Sequence, residues 1–257
     1  MLKEYIIYGL IGLLTGIFYF GGVKKEKEKI SSFLNFIRNI LIGFLLGILL
    51  FTLLNFYKIY NINYGLFFVF LFGFERLFIR AIGRLFEEDE IECKKNTLTY
   101  DYESIGSSYI FKIFIGVVFL LLIFLLFYLP VFLPIELDSK IFNGIVWGGI
   151  AGLIGSGIRG AWKHSKKYGF DFIRFFRSPL IAALFGGFFG IFTSSTSFLI
   201  FVCIGAERMT VDLYKRFFNK NSEEYLMDNK KDVRRKRIII ETAKWIVFAG
   251  LFIAGLF

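Results

Sequence analysis

Two dipeptides hold most of the chemistry that this sequence can offer: Glu75-Arg76 and Glu207-Arg208, each following a long apolar run. A carboxylate in such a setting handles cations or protons; an adjacent guanidinium equally permits an anion. A charge at the centre of a bilayer costs about 2.5–3.5 kcal/mol on insertion scales, so ionisable residues inside apolar spans are functional candidates by default. Neighbours in sequence point about 100° apart on a helix, so Glu and Arg do not pair within a dipeptide. Arg208 and Asp212, four apart, share a face and can pair.

Other chemistries find no residues to carry them. The single His164 lies in Lys163-His164-Ser165-Lys166 with no Cys or acidic partner beside it, so no metal site is expected. Cys93 sits in a charged segment and Cys203 in an apolar run, which argues against a bridge between them. No Ser-His or Cys-His arrangement with a credible base exists, and the Gly-rich runs lie inside apolar spans, which disqualifies them as nucleotide loops. The expectation is a protein that is not an enzyme and holds no cofactor.

The elements that position the dipeptides follow from hydropathy. The 257 residues are 56% apolar, with 36 Phe, 3 Pro and a mean hydropathy of +0.63. Runs of about 20 apolar residues recur along the whole chain and read as bilayer spans. They predict an all-α, polytopic integral membrane protein of eight transmembrane helices in two parallel four-helix repeats. The first repeat, 1–136, has spans near 5–22, 34–56, 61–82 and 109–134; the second, 137–257, has spans near 141–161, 175–193, 197–214 and 238–257. The first span could pass for a secretory signal; the internal repeat argues for a permanent helix.

The repeat is visible by shifting the chain on itself. An offset of 139 lays Tyr8–Ile48 over Trp147–Gly187, with 14 identities in 41 positions, among them Gly9/Gly148, Gly16/Gly155 and Arg38/Arg177. An offset of 132 then lays Gly73-Phe74-Glu75-Arg76 over Gly205-Ala206-Glu207-Arg208 and Lys112 over Lys244. It also sets Arg80 opposite Asp212, which permits an ion pair between the repeats.

Basic residues give the orientation. Alternate loops with their flanks collect 28 of the 31 Lys and Arg, and only Lys3, Lys58 and Lys140 fall on the other side. The expected placement is the cell (inner) membrane, multi-pass, with both termini outside and the basic loops cytoplasmic. An even number of spans per copy makes the repeats parallel. Outer turns are expected at Asn61-Ile62-Asn63 and Thr193–Ser197. Glu207 then lies about 16 Å below Thr196, near mid-membrane, and Glu75 about 18–21 Å deep.

Glycines supply a second pattern. Gly9, Gly12 and Gly16 in the first span, and Gly148, Gly152 and Gly155 in the fifth, read as helix-packing positions, since small residues let backbones approach where no hydrophobic drive exists between helices. The cluster Arg234-Arg235-Lys236-Arg237 abuts the last span and suits anionic lipid headgroups. Partners expected are therefore the lipid bilayer and its anionic headgroups, with a homo-oligomer or protein partner compatible. Nucleic acid is disfavoured, because no aromatic-basic interleaving accompanies the charge.

Two functions remain open. Glu75, Arg76, Arg80, Glu207, Arg208 and Asp212 line a path or site between the repeats of a channel or transporter for an ion or small solute. Alternatively they clamp the halves, with arginines snorkelling to headgroups, in a non-transporting anchor, sensor or assembly partner whose basic loops bind protein or lipid.

Overall fold

A computed structural model describes residues 2–23, 31–57, 59, 62–74, 109–133, 135, 137–154, 172–218 and 231–257. The chain is all-helical. Among the described residues there are eight helices and no strand: α1 (Leu2–Val23), α2 (Ser31–Phe56), α3 (64–74), α4 (Tyr109–Phe132), α5 (Lys140–Gly152), α6 (Phe172–Phe189), α7 (Thr196–Phe218) and α8 (Lys231–Ala254). Among the described residues, no helix is long and apolar enough to cross a membrane.

Several helices run beyond the apolar stretches that mark them in the sequence. Helix α8 begins at Lys231 rather than near 238, and α7 continues to Phe218. Hydropathy marks only the apolar part of a helix, whereas the Lys and Arg residues that precede or follow it are themselves good helix formers. Helix α6 stops at Phe189, before the turn at Gly190–Phe192.

Two helices form the centre. Every residue of α3 from Gly65 to Leu71, and of α7 from Phe198 to Glu207, is buried. A helix that is apolar all round needs neighbours on every side, and α7 accordingly packs against α4, α5, α6 and α8. The two central helices cross at glycine. A Cβ built on Gly73 would run into the Phe201 carbonyl and lie 3.0 Å from the Gly205 nitrogen; one on Gly205 would run into the Val69 carbonyl and lie 3.0 Å from the Gly73 nitrogen. Val69 stands to Phe201 as Gly73 does to Gly205, so each helix gives the other the same surface. That reciprocity is the mark of a two-fold contact.

Outside this pair, α1 crosses α2 and α5 crosses α6, again through small residues. Gly12 meets Gly43 and Gly47, while Gly148 meets Ala182 and Gly186, with matching contact patterns. Gly43 touches Gly16 as Ala182 touches Gly152. In packing, then, Gly12 corresponds to Gly148 and Gly16 to Gly152, three residues displaced from the ungapped superposition of the sequence. Three residues is nearly one helical turn, so the same face is presented. Gly9 meets the side chains of Phe44 and Ile48 rather than backbone, and Gly155 lies outside the described residues.

A methyl group at the central crossing has no room, so overpacking there should destabilise by about 1–3 kcal/mol. Gly205→Ala is therefore expected to lower the thermal midpoint of the detergent-solubilised protein by several degrees. Gly250→Ala, where nothing lies within 4 Å, is the control: Ala is the better helix former, and its midpoint should hold or rise.

Candidate functional site

The outer ends of the central helices are fixed by side-chain caps. Asn63 Oδ1 accepts hydrogen bonds from the Gly65 and Leu66 amides, at 2.9 and 3.3 Å, and Asn63 Nδ2 donates to the Phe252 carbonyl of α8 at 2.9 Å. Ser195 Oγ accepts from the Phe198 amide at 3.3 Å, and Thr193 Oγ1 from the Ser195 amide at 3.2 Å. Caps of this kind satisfy amides that a helix start leaves without partners. Asn63 and Ser195 are related by the same 132-residue offset that relates Gly73 to Gly205. Sequence reasoning expected turns here and did not assign the caps.

Between these ends lies a cavity of ≈ 720 Å³. Its walls carry Asn63, Thr193, Ser194, Ser195, Ser197 and Lys140, and its apolar part includes Leu66 and Phe198, another pair at the 132-residue offset. Tyr57 also lines it and shares a hydrogen bond with Tyr128, which pushes the Tyr57 phenol above its usual pKa. Beneath the cavity the centre closes with rings: Phe70 stacks on Phe198 at 4.9 Å, meets Phe201 edge-on at 5.7 Å, and Phe127 stands 6.2 Å from Phe201.

Below the rings comes a layer of charge. Glu207 is 3% exposed, and among the described residues its Oε1 accepts no hydrogen bond. Arg208 Nη2 lies 2.7 Å from Asp212 Oδ1, closing the pair that the four-residue spacing permits. On α6, the Arg177 guanidinium stands 5.8 Å from the Tyr214 ring centroid. On α8, Lys244 Nζ donates to both carboxylate oxygens of Glu241 at 2.9 Å and sits 5.4 Å from the ring centre of Phe72 on α3. Eleven residues separate Thr196 from Glu207, and eleven separate Glu241 from the Phe252 that bonds Asn63. Both acids therefore sit about 16 Å in from the outer caps.

The Glu241–Lys244 pair corrects one expectation. The sequence reading counted Lys244 with the basic loop; instead Lys244 is 7% and Glu241 6% exposed, well inside α8. The signal was present, since Glu and Lys three apart share a helix face, but it was masked by grouping Lys244 with the cluster that precedes it. Of the other candidates, Glu75, Arg76 and Arg80, and hence the Arg80–Asp212 pairing, lie outside the described residues, as do the side chains of Arg234, Arg235, Lys236 and Arg237. Among the described residues, no group of three or more His, Cys, Asp or Glu could hold a metal ion.

Comparison with protein-family models, with curated proteins and with solved structures finds no match to the chain.

Removing one partner of a buried ion pair leaves the other charge uncompensated, a loss of about 3–5 kcal/mol, whereas an apolar replacement of both is often neutral. Lys244→Met alone should therefore lower the thermal midpoint markedly. The double variant Glu241→Leu with Lys244→Met should recover most of that loss. A double variant no more stable than the single would mean the pair is not the stabilising unit.

Proposed function

We propose that the chain is a multi-pass integral protein of the cell membrane, acting as a channel or transporter for an ion or small solute, with its path or site between two parallel four-helix repeats. Its outer faces support the membrane setting. Leu41, Leu45 and Leu49 form an exposed stripe on α2, Leu180, Leu184 and Phe188 another on α6, and Leu121, Phe124, Leu125 and Phe132 a third on α4. Water-exposed helices bury such stripes and show polar ones. Helix α4 runs 24 residues with Lys112 as its one charged residue. The distribution of Lys and Arg supports cytoplasmic basic loops.

The observation that carries transport is the buried Glu207 beside the reciprocal Gly73–Gly205 crossing, in one layer with Arg208–Asp212 and Glu241–Lys244. Charge kept inside an apolar bundle at a junction of repeats is where transporters of this kind hold their solutes. The polar cavity on the outer side supplies an approach, and the stacked rings below it make this conformation a closed one.

In liposomes, the purified protein should raise ion or solute flux above that of protein-free vesicles. Arg208→Ala should change that flux by about threefold or more while the protein still inserts and remains monodisperse. Unchanged flux accompanied by a destabilised fold would favour a structural clamp, and absence of flux alongside a stoichiometric co-purifying protein would favour the non-transporting reading.

A further inference from the structure

The transport reading leaves the sign of the solute open, because each dipeptide brings a carboxylate and a guanidinium together. The partners of each charge decide it. Arg208 turns away to Asp212, one turn along α7, at 2.7 Å. Glu207 receives nothing in exchange: at 3% exposure its Oε1 is left without a donor among the described residues.

Among the described side chains, the helices packed against α7 place no ion-pair partner on Glu207. On α6, the Arg177 guanidinium lies against the Tyr214 ring, two turns along α7 from Glu207, with its Nε buried and without a hydrogen-bond partner. On α8, Lys244 is held by both oxygens of Glu241. On α5, Lys140 stands at the outer end, in the wall of the cavity rather than in the charged layer. The described residues of α3, and the described side chains of α4, include no charged group. A buried carboxylate oxygen with no donor is unfavourable in the absence of a ligand. A bound cation supplies both the missing contact and the missing counter-charge.

We infer, resting on the transport reading, that the solute is a small monovalent cation, a proton or an alkali-metal ion, and that it engages the Glu207 carboxylate. Glu207 then acts as a binding group, while Asp212 and Glu241 serve as positioning residues that hold Arg208 and Lys244 away from it. In this layer Arg208 and Lys244 are each held by a carboxylate, and Arg177, whose Nε has no hydrogen-bond partner, stands beside Tyr214, about 10 Å along α7 from Glu207.

The experiment is flux in liposomes with separate probes for potassium, sodium, protons and chloride, joined to thermal unfolding of the detergent-solubilised protein in about 100 mM potassium, sodium or choline salt and across a pH series. The expected result is cation flux without chloride flux, lowered about tenfold or more by Glu207→Gln and retained in part by Glu207→Asp. The midpoint should also respond to alkali cation or to pH more strongly in the wild type than in Glu207→Gln. Potassium or sodium flux and a dye-reported proton flux tell the two cations apart. Chloride flux unaffected by Glu207→Gln overturns the cation assignment and leaves the transport reading standing. Absence of all flux, with a Glu207-dependent midpoint shift, overturns transport and upholds the cation site. A midpoint insensitive to cations and pH in both proteins, with no flux, overturns both.

Discussion

The close crossing of α3 and α7 at Gly73 and Gly205 is the contact on which the arrangement depends. Two backbones approach there more closely than any side chain allows, so the rest of each helix is set by that point. Above it, the Asn63 and Ser195 caps are brought to the same end of the molecule and the polar cavity opens between them. At its level the rings of Phe70, Phe198 and Phe201 interlock. Just past it, the chain is carried to Glu207, which has nowhere to go but inward.

The same device recurs at the periphery with a different purpose. Gly12 against Gly43 and Gly47, and Gly148 against Ala182 and Gly186, tie α1 to α2 and α5 to α6 as tight pairs. At these crossings the small residues let the two backbones meet directly, and close packing supplies the attraction. The large apolar side chains are thereby released to two places: the centre, where Phe67, Phe68 and Phe70 are fully buried, and the outer stripes of α2, α4 and α6. This division explains how a chain so rich in Phe encloses a layer of charge.

Within that layer the geometry separates two kinds of charged group. Arg208–Asp212 and Glu241–Lys244 are pairs closed within a single helix, at spacings of four and three residues. Each joins a cation to a carboxylate, although Arg208 Nε is left without an acceptor. Glu207 has no ion-pair partner among the described residues, and its Oε1, like the buried Nε atoms of Arg208 and Arg177, makes no hydrogen bond. The outer cap of α3 joins α8 through Asn63 and Phe252, and Lys244 on the same helix lies over Phe72, so α8 touches both the top and the middle of the central crossing.

How much of this the sequence held can be judged residue by residue. Helical class followed from apolar run lengths, and the Arg208–Asp212 pair from its four-residue spacing, because both depend only on local geometry. The equivalence of Gly73 and Gly205 was legible from the rare Glu-Arg dipeptide that follows each of them at the same spacing. The register of the first helix of each repeat was not, since glycines recurring every three or four positions let the alignment slip by a turn without losing its matches. Lys244 fell within the last span by hydropathy but was counted with its basic flank for orientation, and the Glu241 partner three residues away that allows it to be buried was not picked out. Which glycines touch backbone, which caps converge on one cavity, and which charge is left without a partner are properties of segments far apart in the chain. Only the packing of α3 against α7 brought them together, and that packing decided where the unpaired carboxylate lies.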